Sequence, residues 1–248
     1  MRSTDRLLTT HVGSLPRSKA VTKLVFAKEH GETIDSAAFA RVISDAVGDA
    51  VERQVCSGID TVSDGEMSKI SYATYIKDRV SGFAGDSPRI VPADLENYPR
   101  FMQRLAGSGG TPTYLRPKCV AAVAPTDAAP LAMDLANLLG ALDRNFGTRG
   151  FMNSAAPGVI SLFQPNEYYA TQDEYLEALA EAMRPEYEAI VASGLVLQID
   201  SPDLGLGRHT LYKSRSEDEY LSLAARHVEV LNHALRNIPA DKVRMHIC

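Results

Sequence analysis

Residues 172–200 read QDEYLEALAEAMRPEYEAIVASGLVLQID, a helical pattern that passes through one glycine into a strand pattern. Apolar residues recur in the first part at the three- and four-residue spacing of an amphipathic helix, at Leu176, Leu179, Met183, Tyr187, Ile190 and Val191. Thr171 and Glu174 have capping-box spacing, and Gly194 stands where the helix should end. The apolar run Leu195–Asp200 is typical of a buried strand. Such a helix–strand unit indicates an α/β fold.

The same alternation extends along the rest of the chain. Further helices are predicted at 36–57, 70–80, 127–146 and 216–236, and further strands at 7–12, 59–64, 118–123, 152–163 and 243–248. On the last helix, the predicted inward residues include Leu221, Ala224 and Val228. This pattern of about six strands and five helices indicates βαβ units and a parallel sheet in one domain, residues 1–248. Two architectures fit, a (β/α)₈ barrel and an open doubly wound sheet. No Gly-x-Gly-x-x-Gly follows the first strand and no Walker motif occurs, which disfavours a nucleotide-binding sheet.

Residues 82–117 interrupt the alternation with an irregular excursion. It contains several prolines, among them Pro92, Pro99, Pro112 and Pro117, and a Gly-Ser-Gly-Gly run at 107–110, with a short helix predicted near 94–105. Excursions of this length inside a compact domain are usually functional. We expect either a lid that covers a substrate or a plain surface decoration.

Composition excludes several classes of protein. The 248 residues are 45% hydrophobic and 23% charged, with a formal net charge of −5. There is no basic excess to neutralise phosphates, so no nucleic-acid partner is expected. No stretch approaches the roughly 18 apolar residues of a membrane span, and the N-terminus lacks a signal-peptide core. A cytoplasmic protein is therefore expected, with Cys56, Cys119 and Cys248 as thiols rather than disulfides.

Polar side chains stand at the predicted carboxyl ends of the strands, where α/β enzymes carry their chemistry. The pairs are His11 and Ser14, Asp64 and Glu66, Asn153 and Ser154, Gln198 and Asp200, and His246 and Cys248. Strand side chains alternate between faces, so pairs spaced by two residues can point the same way. This pattern predicts a site at that edge of the sheet.

His246 and Cys248 are the sharpest of these pairs, because imidazole and thiolate are both good Zn²⁺ ligands. The alternative is a half-buried strand that happens to end in cysteine, and two ligands do not complete a tetrahedral site. Asp64-Gly65-Glu66 could hold a substrate ammonium or be a solvated turn with Gly65 at positive φ. A carboxylate at the end of a buried strand, such as Asp200, needs a partner or a ligand.

The remaining candidates are less specific. His11 and Ser14 could equally cap the next segment, and Arg17 is available for a carboxylate or a phosphate. Cys56, on an apolar helix face, and Cys119, in a predicted strand, are expected to be core thiols. His227 and His233 lie on a predicted helix, where surface or boundary positions are expected.

Four segments together resemble the C-terminal catalytic half of the cobalamin-independent methionine synthases. They are LTTHVGSLPR (8–17), GIDTVSDGE (58–66), LQIDSPDLGLG (197–207) and RMHIC (244–248), and the resemblance covers essentially the whole chain. The Gly-Ser-Leu-Pro-Arg opening is more similar to a shorter, single-barrel branch. That branch includes core methionine synthases and epoxyalkane–coenzyme M transferases.

The resemblance implies a TIM-type (β/α)₈ barrel with Zn²⁺ at its mouth. It also implies a methyltransferase of methionine biosynthesis that moves a methyl group from 5-methyltetrahydrofolate to homocysteine, giving methionine. His246 and Cys248 match zinc ligands, and Ser14 and Glu66 match residues that hold the amino-acid part of homocysteine. Asp200 matches the acidic residue that grips the substrate ammonium, with a catalytic role. His11 and Arg17 are expected to complete this substrate site.

The sequence departs from the family in two respects. The family packs an aromatic residue, typically Trp, on the pterin, whereas this chain has no Trp; Phe163 or Tyr168 could substitute. The family also supplies further zinc ligands and a catalytic histidine after the His-x-Cys pair. We therefore expect about six of the eight βα units, in a domain incomplete at its C-terminal end.

The alternatives are an epoxyalkane–coenzyme M transferase-like enzyme and a non-catalytic truncated barrel. The open strand edges of a truncated barrel could pair in a homo-oligomer.

Overall fold

The computed structural model describes residues 5–88, 90–107 and 115–248, without the side chains of residues 105–107. The helices are α1 (Lys19–Glu29), α2 (Ser36–Cys56), α3 (Pro99–Gly107), α4 (Ala129–Arg144), α5 (Pro157–Phe163), α6 (Gln172–Ala192) and α7 (Glu217–Ala234). The strands are β1 (Thr61–Val62), β2 (Phe83–Ala84), β3 (Lys118–Cys119), β4 (Arg149–Ala155), β5 (Val196–Asp200) and β6 (Val243–His246). Short 3₁₀ turns occupy Thr74–Asp78, Ala93–Leu95, Pro202–Leu204, Leu206–His209 and Ala240–Lys242.

The main sheet is parallel and has the strand order β1-β4-β5-β6. This sheet and its flanking helices confirm the predicted α/β class, but the described ranges do not form an eight-stranded barrel. The predicted first strand, 7–12, is reduced to a single parallel bridge between Thr10 and Thr61. The Asp60 side chain accepts the Thr9 N–H at 2.7 Å, so this N–H is not available to a strand ladder.

The predicted third strand, 118–123, does not join the main sheet. Only Lys118–Cys119 is a strand, and it pairs antiparallel with β2. The N–H groups of Val120 and Ala121 both donate to the Gly82 carbonyl, at 2.8 and 3.3 Å. This shared acceptor ends the regular ladder after two residues.

The strand predicted at 152–163 ends at Ala155, and Pro157 begins helix α5. Proline fits the first helical turn, because its fixed φ is helical and its missing N–H would have no partner there. Pro157 therefore starts a helix instead of breaking a strand.

Four of the long helices, α2, α4, α6 and α7, confirm the predicted amphipathic segments. Helix α1 was not predicted, and the segment at 70–80 forms only a 3₁₀ turn. Of the excursion at 82–117, the predicted short helix is α3, whereas residues 89 and 108–114 lie outside the described ranges.

The core lies between the main sheet and helices α2, α4, α5, α6 and α7. Its fully buried side chains include Ile43, Leu138, Met152, Leu179, Tyr187 and Ile199. The inward face predicted for α7 is partly wrong: Leu231 is 3% exposed as expected, but Leu221 and Val228 are 57% and 38% exposed. His227, expected at the surface or boundary, is 3% exposed. Phe146, at the end of the helix predicted over 127–146, lies beyond α4 and is 99% exposed. Within the described ranges, no helix is long and apolar enough to cross a membrane.

Candidate functional site

A cavity of about 260 Å³ lies at the carboxyl end of the main sheet. It is lined by Val12, Ser14, Glu66, Tyr72, Asp200, Pro202, His246 and Cys248. The fold thus brings residues from the two ends and the middle of the chain to one edge, as strand-end chemistry requires. The functional roles assigned to them remain predictions.

Two predicted substrate residues lie elsewhere. His11 lines a neighbouring cavity of about 200 Å³ with residues of α2, including Arg53 and Gln54. Arg17 supports the backbone behind the acidic turn, since its guanidinium donates to the carbonyls of Glu66 and Lys69 at 2.7 and 2.5 Å. In this structure Arg17 thus contacts peptide oxygens rather than a ligand-binding space.

The turn Asp64-Gly65-Glu66 places a carboxyl group in the cavity wall. Gly65 and Glu66 have φ angles of 64° and 56°, both in the left-handed region. Among the described residues, Glu66 is the only non-glycine residue with a positive φ. The turn is held by the Asp64 carboxylate, which accepts the Glu66 N–H at 3.0 Å. Asp64 and Glu66 are 2% and 3% exposed, so the turn is buried rather than solvated. Strained backbone of this kind concentrates at functional sites.

Asn153 on β4 joins the two carboxyl groups that face the cavity. Its Nδ2 donates to Glu66 Oε1 at 2.9 Å and to Asp200 Oδ2 at 2.8 Å. The other Asp200 oxygen accepts from Gln198 Nε2 at 2.8 Å. The register sets Asn153 opposite Gln198 and Asp200 opposite His246, so three adjacent strands meet here.

Burial shifts the protonation of these acids. It raises the pKa of Glu66 to about 7, against a lowering effect of the nearby Lys69 ammonium. Burial also raises the pKa of Asp200 and of Asp64. Desolvation disfavours the charged form of a carboxyl group, so a cation that enters the cavity would stabilise its ionised state.

Lys69 is a functional candidate that the sequence did not reveal. It is 3% exposed, its Nζ donates to the Asn153 carbonyl at 2.7 Å, and it lies 4.6 Å from the centre of the Tyr75 ring. Lys69 therefore supplies a fixed positive charge beside Glu66 and Asp200. Its place three residues after Glu66 was the available signal, but nothing in the sequence separates it from a surface lysine.

Tyr72 is the aromatic residue of the cavity wall, and its ring meets Phe163 edge-on at 5.8 Å between centroids. Phe163 therefore lies behind Tyr72. Tyr168 is 52% exposed and packs on Tyr169. A pterin-packing role for Phe163 or Tyr168 stays a prediction.

His246 and Cys248 both line the cavity and offer the nitrogen and sulfur ligands that zinc accepts. Across the described part of the chain, however, no group of three His, Cys, Asp or Glu side chains is close enough to hold a metal ion. The pair suits zinc in its chemistry but does not by itself complete a tetrahedral site.

The parallel sheet, with a cavity at its carboxyl end, defines an α/β fold that is shared with solved structures. One is a B12-independent methionine synthase from Shewanella sp. W3-18-1 in complex with selenomethionine. Its TM-score is 0.67 at 19% identity, over 97% of this chain and 61% of that one. Another is a putative vitamin-B12 independent methionine synthase from Listeria monocytogenes, with TM-score 0.67 and 19% identity over 98% and 67% of the two chains.

Curated relatives agree with this likeness. The chain is 24% identical to a methionine synthase of Sulfurisphaera tokodaii and 25% identical to one of Saccharolobus solfataricus, each over 243 residues and 98% of this chain. It spans 61% and 62% of the length of those relatives. No family model matches the sequence. The resemblance to the cobalamin-independent methionine synthases is thereby confirmed, and the coverage fits their short single-barrel form.

Proposed function

We propose that the protein is a zinc-dependent methyltransferase that moves a methyl group from 5-methyltetrahydrofolate, or a related donor, to the thiol of homocysteine, giving methionine. The observation that carries this proposal is the acidic cavity wall, in which one amide, Asn153, holds both Glu66 and Asp200. The similarity to methionine synthases over 98% of the chain supports it.

Glu66 and Asp200 would bind the substrate ammonium by charge-assisted hydrogen bonds, which are about twice as strong as neutral ones. Ser14 lines the same cavity and would contact the amino-acid end of the substrate. His11 would act from the neighbouring cavity and Arg17 by supporting the Glu66 turn.

His246 and Cys248 would be two of the zinc ligands, and the site requires further ligands. Bound zinc would hold the substrate sulfur as a thiolate at neutral pH, where a free thiol is mostly protonated. The chain's own residues would orient the amino acid so that its sulfur faces this pair across the cavity.

The acidic wall favours an amino-acid thiol over coenzyme M as substrate. Homocysteine carries an ammonium group that complements Glu66 and Asp200. Coenzyme M carries a sulfonate that the same carboxylates would repel. A coenzyme M transferase is therefore the alternative function, and preferred binding of coenzyme M would support it.

Calorimetric titration of the protein with homocysteine and with coenzyme M tests the substrate class. We expect homocysteine to bind more tightly, and Glu66→Gln and Asp200→Asn to weaken it about tenfold or more, as expected when a charged hydrogen bond is lost. Asp45→Asn on the exposed face of α2 is the matched control. Preferred binding of coenzyme M, or unchanged homocysteine affinity in both variants, contradicts the proposal.

Metal analysis tests the zinc assignment separately. His246→Ala and Cys248→Ser are each expected to lower the zinc bound per chain after dialysis, whereas Cys56→Ser, at an exposed thiol on α2, should not. Zinc retained by both His246→Ala and Cys248→Ser would remove the metal from the proposal.

A further inference from the structure

A second buried polar pair lies behind the cavity and takes no part in its wall. His227 on α7 and Asp203, in the 3₁₀ turn after β5, are joined by an Nδ1–Oδ2 hydrogen bond of 2.8 Å. They are 3% and 2% exposed. Since a carboxylate only accepts, Nδ1 carries the proton and donates.

Three neighbouring elements fix the position of this pair. Gly158 in α5 packs so closely that a Cβ atom there would lie 2.1 Å from Asp203 Oδ2 and 2.5 Å from His227 Nδ1. The Tyr220 hydroxyl donates to the Asp203 carbonyl at 2.8 Å, and the Tyr212 ring meets the imidazole edge-on. The pair therefore has little freedom to move.

Asp203 belongs to the segment Asp200–Gly205, here called the β5 loop. Asp200 and Pro202 of this loop line the cavity. Ser201 N–H donates to the His246 carbonyl at 2.9 Å, Leu204 N–H to Ser201 at 3.2 Å, and Gly205 N–H to Pro202 at 3.0 Å. The loop thus connects the carboxylate wall to the strand that carries His246.

Two hydrogen bonds join this loop to α7, both at Asp203: Tyr220 binds its backbone carbonyl, and His227 binds its side chain. His227 Nε2 and Asp203 Oδ1 are buried and have no hydrogen-bond partner among the described residues. Burying such atoms is costly, so the net stability gained from the pair is small. Its geometric effect is larger, because it sets where Asp203, and with it the loop, can lie.

We propose that His227 is a positioning residue, which holds Asp203 through Nδ1 and thereby fixes the β5 loop with Asp200 and Pro202 at the cavity wall. This inference rests on the proposed function only in taking that cavity as the substrate site.

Side-chain geometry supplies a test that separates positioning from bulk packing. The amide nitrogen of asparagine can occupy the place of imidazole Nδ1, whereas that of glutamine lies nearer to Nε2 and leucine has no donor. His227→Asn, His227→Gln and His227→Leu are therefore compared with wild type. His233→Asn is the matched control, because His233 also lies on α7 but bonds Glu181 at the exposed surface.

Two readouts are used: amide hydrogen exchange of Ser201, Leu204 and Gly205 by NMR, and calorimetric affinity for homocysteine. We expect His227→Leu and His227→Gln to speed this exchange and to weaken homocysteine binding about tenfold or more, as for a lost hydrogen bond to a charged group. His227→Asn and His233→Asn should keep both within about threefold of wild type.

Exchange unchanged in His227→Leu, or an asparagine variant as impaired as the leucine variant, overturns the inference. If the leucine variant does not fold, the asparagine and glutamine variants decide by the same criteria. Failure of the wild-type protein to bind homocysteine would count against the proposed function, and the exchange data alone would then decide the role of His227.

Discussion

Glu66 combines two unfavourable features in one residue, a left-handed backbone and a buried carboxyl group. The surrounding groups offset both: Asp64 accepts its N–H, Asn153 donates to its side chain, and Lys69 lies nearby. A carboxyl group with a pKa raised by burial can release its proton when a cation binds next to it, because the cation stabilises the ionised form. These contacts agree with the ammonium-binding role proposed for Glu66.

The pH dependence of stability should reveal this carboxyl group. Its pKa is raised from 4.5 to about 7 in the folded state. Between those values the folded state binds more protons than the unfolded state, so its contribution to stability is full below pH 4.5 and is lost as pH rises through 7. The loss is about 3 kcal/mol.

Urea unfolding at pH 5 and pH 8 measures this effect. Glu66→Gln should show a smaller fall in the free energy of unfolding between the two pH values than wild type. Asp45→Asn should follow wild type, and a Glu66→Gln variant that also follows wild type contradicts the expectation.

The sequence could place polar residues at strand ends because that information is local. Glu66 and Asp200 were predicted at the carboxyl edge of the sheet, and both line the cavity there. The sequence could not show that Asn153 bridges them or that Lys69 is buried, because those contacts join positions 47 to 87 residues apart. The register of β4 against β5 sets Asn153 near Asp200, and the segment after β1 brings Glu66 and Lys69 to Asn153.

For the helices, the local sequence pattern predicts where each one lies, whereas tertiary packing decides which of its faces is buried. The amphipathic repeat predicted α6 well, and Thr171 caps it by accepting the Glu174 N–H. Helix α7 has a full capping box, but its buried face differs from the prediction because Asp203 draws His227 inward. A helix that buries a polar pair cannot be oriented from its apolar residues alone.

A buried ion pair ties helix α4 to the 3₁₀ turn after β1. Arg79 and Asp134 meet at 2.5 Å with side chains 8% and 2% exposed, and Ser68 also donates to Asp134. Arg79 Nε also lies 3.7 Å from Oε2 of the buried Glu186. Arg79→Leu would therefore leave Asp134 and Glu186 without this positive charge. We expect it to lower the free energy of unfolding by about 3–5 kcal/mol.

Chemical denaturation compares this variant with Arg53→Leu. Arg53 pairs with Asp49 on the exposed face of α2, with side chains 79% and 60% exposed. Its loss should cost less than about 1 kcal/mol. Equal losses in the free energy of unfolding would show that the buried ion pair stabilises the fold no more than the exposed pair does.

Across the whole molecule, one side chain links segments from opposite ends of the chain. Arg244 on β6 donates to Gln198 Oε1 at 2.9 Å, to Thr10 Oγ1 at 3.1 Å and to the His11 carbonyl at 3.3 Å. Its guanidinium also lies 3.7 Å from the centre of the Phe151 ring. These contacts hold the N-terminal run against the sheet in the absence of a continuous ladder.

Arg244→Met should loosen that run while leaving the helices intact. We expect faster hydrogen exchange at the amides of Asp60 and Thr61, which donate to Thr9, and a loss of about 1–3 kcal/mol in stability. Arg244→Lys, which keeps the charge but not the planar fork, should give an intermediate effect. Exchange at these amides that is unchanged in Arg244→Met contradicts the expectation.

The cavity takes its wall from Ser14, Glu66, Asp200 and Cys248, so its residues are separated by most of the chain. Bringing such distant segments together costs loop-closure entropy, and contacts of this kind slow folding. The helices can form early from neighbouring residues, whereas the cavity can close only after the sheet has assembled. Recovery of ligand binding during refolding should therefore lag behind recovery of helical circular dichroism, which makes the cavity a kinetic marker of the last step of folding.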